Sequence, residues 1–450
     1  MPHANRRYFI KQGIALGAGL FSADARFRAA ACDPADRAIS SAPEPAFRPP
    51  RLVDKTLFIK SPKPRAAVWV NTYYTRATGL EMACVMRCTM KDDVFTDWQR
   101  RFSPDNGKTW SEWAKLKDVR VEQPEGVHCR YPLPGWVDPV KGRMLMMALD
   151  DVLPEGNPWK AVWWMRYRVS TDGGRTFAVD EPVIQRGDYT PEHPMEGVWR
   201  RKNGVGLSET NIIRTREGRI LVPFSATPNV HDERGGKRGG SVSYSDAAVL
   251  IGEWTEDMKI AWDVSEHVET TPKISTRGLL EPTVAEMPDG RILMVCRGSN
   301  HAWPSYAKPK IPGYKWYSVS TDGGRHWSNP PKPWTYHDGE RFFSPSSCSQ
   351  LIRHSNGKIY WLGNISPTNP HGNLPRHPLV IGEVDAESLL LRKETVAVID
   401  TRGPEDDESL QLSNFMVHED RVDGAIVLNV TRFMPKPDWK GDCYTYRIEP

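Results

Sequence analysis

Residues 319–328 read VSTDGGRHWS, and the phrase returns as VSTDGGRTFA at 169–178 and as FSPDNGKTWS at 102–111. In each copy a serine stands two positions before an Asp, a glycine follows within two residues, and an aromatic side chain (Trp110, Phe177 or Trp327) lies five residues beyond the Asp. This is turn chemistry: the carboxylate accepts backbone N–H groups and glycine takes positive φ without steric cost. The aromatic is expected to pin the turn to its own sheet. The three phrases therefore read as structural punctuation and not as catalytic residues.

A second phrase runs in step with the first. Gly142-Arg143-Met144-Leu145, Gly218-Arg219-Ile220-Leu221, Gly290-Arg291-Ile292-Leu293 and Gly357-Lys358-Ile359-Tyr360 are copies, and Gly424-Ala425-Ile426-Val427 is a worn fifth. Each glycine lies between two β-rich stretches, such as EPTVAEMP and ILMVCR, which is the pattern of a hairpin with glycine at its turn. The Asp phrases follow these hairpins, so inner and outer hairpins alternate. IGEWTEDMKIAW at 251–262 keeps Asp257 and Trp262 at the same separation, and IGEVDAESLLLR at 381–392 keeps only the lead-in. Four-stranded units repeated radially make a β-propeller, which suppresses exposed sheet edges by closing into a ring. The expected fold is all-β, a single six-bladed β-propeller over 51–450. Residues 50–127 supply its first unit, and CYTYRIEP at the C-terminus returns to close that unit.

Composition bounds the function. The chain of 450 residues is 39% apolar with 17 Trp, ample for a large core, which excludes a disordered protein. A net charge of +4, spread over 60 basic and 56 acidic residues without a long single-sign run, is no footprint for nucleic acid. Of the seven Cys, only Cys84 and Cys88 lie close together, so neither a metal site nor a cofactor is expected. Arg6-Arg7-Tyr8-Phe9-Ile10-Lys11 ahead of the apolar GIALGAGLF resembles a twin-arginine export signal. Residues 1–31 are thus expected to be a leader and 32–50 a Pro-rich linker, with Cys32 a candidate lipid anchor. No segment approaches the ~20 apolar residues that span a bilayer. A periplasmic or extracellular monomer is expected.

Ser-x-Asp-x-Gly-x-Thr-Trp, once per unit between its outer strands, resembles the Asp box of the sialidase (neuraminidase) superfamily over roughly residues 60–440. The resemblance implies action on a glycan, with the chemistry at the upper ends of the innermost strands around a central funnel. Sialidases carry there three arginines that grip a carboxylate, a Tyr nucleophile, a Glu that activates it and an Asp acid/base. Arginine's planar fork suits a carboxylate, and a neutral nucleophile avoids repelling an anionic sugar.

LLEPTVAEMPDGRILMVCRG at 279–298 is similar to the sialidase segment in which the activating Glu opens an inner strand and an arginine ends the next, which assigns Glu281 and Arg297. Arg376, in NLPRHPLVIGEV, stands where the third arginine begins an outer hairpin, with Arg353 as an alternative at an exposed turn. FRPPRLV at 47–53 resembles the family's Phe-Arg-Ile-Pro signature and nominates Arg48. The strand expected to carry the Tyr departs from the pattern: it reads LQLSNFMVHEDR, and Phe415 has the phase of Glu281 relative to its hairpin glycine. Phe415 has no hydroxyl, and in the first unit only Asp92 and Asp93 offer themselves as loop acids.

Glu209, in LSETNIIRTREGRILVPF, stands nine residues before Gly218, as Glu281 stands before Gly290. Two successive units thus aim carboxylates into one funnel, and a carboxylate pair is the apparatus of ordinary glycosidases. Asp150 and His128, one unit earlier, read as structural residues near the mouth. The expected function is an exo-acting glycoside hydrolase of sialic-acid-like or other acidic glycans. Glu281 and Glu209 are its catalytic candidates, and Arg297, Arg376 and Arg48 its substrate-binding candidates. The alternatives are a non-catalytic glycan-binding propeller and a polysaccharide lyase with His371 or His377 beside Arg376.

Overall fold

The computed structural model describes residues 47–450 apart from 92, 125, 154–161, 201, 210, 228–243 and 303–308. The leader, Cys32, most of the linker and Asp92 lie outside the described residues. Among the described residues the one helical piece is the 3-10 turn Lys393–Thr395; the rest of the regular structure is strand. No described helix is long and apolar enough to cross a membrane.

The strands form antiparallel blades that follow one another along the chain. The fourth blade is the cleanest: Leu280–Glu286, Ile292–Arg297, Lys315–Ser320 and Lys332–Pro333 pair in that order from the axis outward. The fifth repeats it with Gln350–Arg353, Ile359–Asn364, Leu379–Glu383 and Ala397–Asp400. One eight-stranded sheet is two blades joined through a single parallel pair, Ala67 with Gly441. Split there, the sheets make six blades. Gly218 and Gly290 turn their inner hairpins with φ of 89°, a conformation costly for any residue with a Cβ.

The core lies between blades. Each large cluster of buried apolar residues draws on two neighbours: Tyr167 and Trp262 join the second and third blades, and Trp334 and Trp361 the fourth and fifth. An isolated blade would leave both faces wet, so the blades are stable only as a ring.

The ring is latched differently from the sequence expectation. Lys440–Glu449, which contains CYTYRIEP, is the third strand of the sixth blade. Its outer side is covered by the N-terminal strand Arg51–Ile59, in register from Arg51 opposite Glu449 to Ile59 opposite Cys443. The start of the chain therefore completes the last blade, and the first blade begins only at Ala67. RLVDKTLFI alternates in character as any half-exposed strand does, and its distant partner is set by the closed ring, which local sequence does not encode.

Both repeated phrases have a visible purpose. In the Asp turns the serine hydroxyl receives the glycine N–H (Gly174 to Ser170 at 2.8 Å, Gly324 to Ser320 at 2.9 Å) and the carboxylate receives the N–H four residues on. The worn copy keeps part of this: Asp385 still accepts the Ser388 N–H at 2.7 Å. In the second, third and fourth blades the hairpin arginine fastens the blade to the next one's outer turn. Arg143 donates to the Thr255 carbonyl at 3.5 Å, Arg219 to that of Asp322 at 3.1 Å, and Arg291 to those of Ala386 and Glu387 at 3.0 and 2.9 Å. The six described cysteines are buried and unbridged.

Candidate active site

A cavity of about 420 Å³ lies where the innermost strands converge, and it is lined from every blade. Glu209, Glu281, Arg297 and Arg376 all face it. The fifth nominated residue, Arg48, does not. It is exposed and precedes the strand that forms the outer edge of the sixth blade, so the short FRPP likeness had no funnel position behind it. Arg353 is exposed at its hairpin end, and His371 and His377 are not among the cavity residues. His128 and Arg130 bind Asp150 at 2.6 and 3.3 Å within their own blade, away from the cavity.

The two glutamates are presented by breaks in the innermost strands. In the third blade the inner strand is split into Val205–Gly206 and Ile213–Arg214, and Glu209 occupies the gap. In the fourth, the register slips between Leu280 and Thr283, around Glu281. Both take left-handed φ, 41° at Glu209 and 45° at Glu281, a conformation that costs a non-glycine residue about 1–3 kcal/mol and persists only where the surroundings enforce it. Asn211 does part of that enforcing. Its side chain accepts from the Thr283 hydroxyl and the Val284 N–H and donates to the carbonyls of Val284 and Leu351, tying three inner strands together.

Each carboxylate is held by a guanidinium. Glu281 Oε1 accepts from Arg297 Nη1 at 2.5 Å, while Oε2 is buried and accepts no hydrogen bond from the described residues. Glu209 is gripped more fully: Oε1 by Arg87 Nη2 at 3.0 Å, and Oε2 by the Ser208 hydroxyl and, at 3.5 Å, the Asn414 amide. Arg87 is sandwiched against Phe95 and Trp98, with its guanidinium 4.8 and 5.4 Å from the ring centres.

The far side of the cavity is strongly basic. Arg297 also donates to the Ser346 hydroxyl at 2.8 Å and to Asn373 at 3.2 Å; Arg376 donates to the Ser346 carbonyl at 2.9 Å and to Gln411 at 3.0 Å. Arg277 joins them on the wall. Burial, and then the charge of Arg297, push Arg277 and Arg376 each down to about 10. Around the cavity four guanidiniums (Arg87, Arg277, Arg297, Arg376) face three carboxylates (Asp93, Glu209, Glu281), leaving one positive charge in excess. Across from this charged wall, Trp69, Phe95, Trp98, Tyr131 and Trp163 present an aromatic surface.

Asn414, not Phe415, is the sixth blade's counterpart of the two glutamates. The hairpin closed by Glu419 and Ile426 has one more loop residue than the one closed by Glu286 and Ile292, which shifts the phase counted from the glycine. Asn414 has the same left-handed backbone, with φ of 61°, and lines the cavity, whereas Phe415 is fully buried in the core. Arg87, Arg277 and Asn414 were missed by sequence reasoning. Arg87 had a signal, a lone charge inside the apolar strand Met82–Lys91; Arg277 had none.

Residues 98–395 match the family described as a BNR repeat-like domain. Among solved structures, a protein of unknown function from Dyadobacter fermentans is similar at a TM-score of 0.58 and 15% identity, over 90% of this chain and 100% of that one. The α-L-arabinofuranosidase of Fusarium graminearum, solved with arabinobiose, is similar at 0.53 and 13% identity, over 88% of this chain and 97% of that one. The Trypanosoma rangeli sialidase is similar at 0.51 and 13% identity, over 88% of this chain but only 58% of that protein. At such identities the likeness is one of fold.

Proposed function

The chain belongs to the BNR repeat-like domain family of sialidase-like propellers, and on that premise we propose that it is a glycoside hydrolase whose two working groups are Glu209 and Glu281. The observation that carries the reading is the pair itself: two carboxylates at equivalent breaks of neighbouring blades, facing one cavity. Glu209, held by Arg87, Ser208 and Asn414, is a fixed anion suited to act as base or nucleophile. Glu281 has Oε1 on Arg297, while Oε2 accepts no hydrogen bond from the described residues, so Oε2 is the place for a proton to be carried to the leaving oxygen.

The preferred substrate is an acidic glycan cleaved from its end. The excess positive charge, with Arg297 and Arg376 both seated on Ser346, supports a carboxylated sugar, and the aromatic wall supports stacking of a sugar face. A tyrosine nucleophile has no place in this reading, since Asn414 stands at the sixth-blade position. Export to the periplasm or beyond is part of the proposal and rests on the Arg6-Arg7 leader alone.

The test is a panel of aryl glycosides (α-sialosides, uronides and, prompted by the Fusarium relative, α-L-arabinofuranosides) against wild type and Glu281→Gln. Turnover of one class that Glu281→Gln abolishes supports the reading. Glycan binding without turnover of any class favours a binding propeller, the second reading, for which the missing tyrosine is the specific observation.

A further inference from the structure

Beneath the charged wall lies a cation that the chemistry above does not use. Lys315 opens the strand Lys315–Ser320 and is completely buried. Its backbone pairs with that of Arg297, and its ammonium donates to the carbonyl of Ser347. The neighbours of Ser347 serve the site directly. The Ser346 hydroxyl accepts from Arg297 Nε at 2.8 Å, and its carbonyl accepts from Arg376 Nε at 3.3 Å and Nη2 at 2.9 Å. On the other side, Cys348 Sγ accepts the Asn414 N–H at 3.1 Å, and Asn414 reaches Glu209. Three consecutive residues thus seat two guanidiniums, one ammonium and the neighbour of a working carboxylate. Packing alone would be better served here by an apolar side chain, because a buried ammonium is costly.

We propose that Lys315 is a positioning residue, fastening the Ser346–Cys348 segment on which Arg297 and Arg376 sit, and that its proton keeps this seat set for an anionic sugar. The inference rests on the glycoside hydrolase reading and deepens it toward carboxylated substrates. The titratable and charged groups facing Lys315 are Cys296 on the neighbouring strand, Cys348, Glu281, Arg297 and Arg376. Burial, then the two guanidiniums, push Lys315 down to about 7 against the opposing pull of Cys348 and Glu281. Its ammonium is therefore present below neutrality and lost above it. When the proton leaves, a donor to Ser347 and a positive charge vanish together, so affinity for a carboxylated sugar falls with rising pH while affinity for a neutral sugar does not.

Binding of N-acetylneuraminic acid, glucuronic acid and galactose is measured by calorimetry at pH 6 and pH 9 on wild type, Lys315→Met and Ser346→Ala, with melting temperatures alongside. Wild type is expected to bind one of the acids about ten-fold more weakly at pH 9, the scale of one charge-assisted contact. Lys315→Met is expected to bind that acid weakly at both pH values, with a melting temperature no lower than wild type at neutral pH. Three results overturn the proposal: wild type binds neither acid, wild type shows no pH dependence, or Lys315→Met keeps the wild-type dependence. Should Lys315→Met not fold, Ser346→Ala decides. It must weaken acid binding while keeping the pH dependence, and any other behaviour overturns the proposal. Aryl glycoside turnover separates the two readings: Lys315-dependent acid binding without turnover removes only the hydrolase, and turnover with acid binding indifferent to Lys315→Met removes only the positioning role.

Discussion

Glu209 and Glu281 stand at the same place in two successive blades, each five residues ahead of the pair that closes its hairpin, Arg214 with Ile220 and Glu286 with Ile292. Each is left-handed, and each is tied to an arginine from another strand. Repetition of the blade explains why both point to the axis. It does not explain why both are acids, since the sixth blade places Asn414 at the equivalent position and the fifth Cys348. The acids are a feature of the site, laid over a left-handed backbone that Glu209, Glu281 and Asn414 share and Cys348 does not.

Arg87 couples the aromatic wall to Glu209. Removing it as Arg87→Met leaves a buried carboxylate without its cation, a loss of about 3–5 kcal/mol in stability. Glycoside turnover falls with it. In a double-mutant cycle with Glu209→Gln, the double variant regains part of the stability but none of the activity, read by chemical denaturation and by rate.

Asp138 is a comparable tie outside the site. Completely buried at the second blade's hairpin, it accepts from Arg214 at 2.6 Å and Trp254 at 2.7 Å in the third blade, and from the N–H groups of Val140 and Lys141. Asp138→Ala strands these donors and is expected to cost about 3–5 kcal/mol by urea denaturation. Because Asp138 is not among the residues that line the cavity, kcat of the folded variant is expected to stay within about two-fold of wild type.

Asp322 carries a pH signature of the turns. Burial raises its pKa, but the His326 N–H, the His326 ring and the Ser320 hydroxyl outweigh that and hold it at about 2. A folded-state value below the unfolded one contributes stability above the ordinary carboxylate range, lost as pH falls toward 2. Asp322→Asn should therefore melt below wild type at pH 7, and the gap should narrow between pH 4 and pH 3. A gap that is constant across that window contradicts the assignment.

Much of this was legible in the sequence because repeats carry phase. Two phrases in step named the propeller, and counting from a hairpin glycine put Glu209 in phase with Glu281, with which it faces the cavity. The same counting failed at the sixth blade, where one additional loop residue moved the site position from Phe415 to Asn414. Closure by Arg51–Ile59 was not readable, because a strand's partner some 390 residues away leaves no local trace. Arg48 was drawn from a four-residue likeness with no repeat to check it against. Arg87 and Lys315 are single charges inside strands, and only the packing shows what they hold.

The account turns on the paired glutamates, and the most direct measurement is the rate of aryl glycoside cleavage by Glu209→Ala and Glu281→Ala, each with and without added azide. Both variants are expected to melt as cooperatively as wild type, to lose about 10²–10⁴-fold in rate, and to recover part of it with azide, which replaces a missing carboxylate. Near-wild-type cleavage by either folded variant would contradict the claim that these two carboxylates share the chemistry.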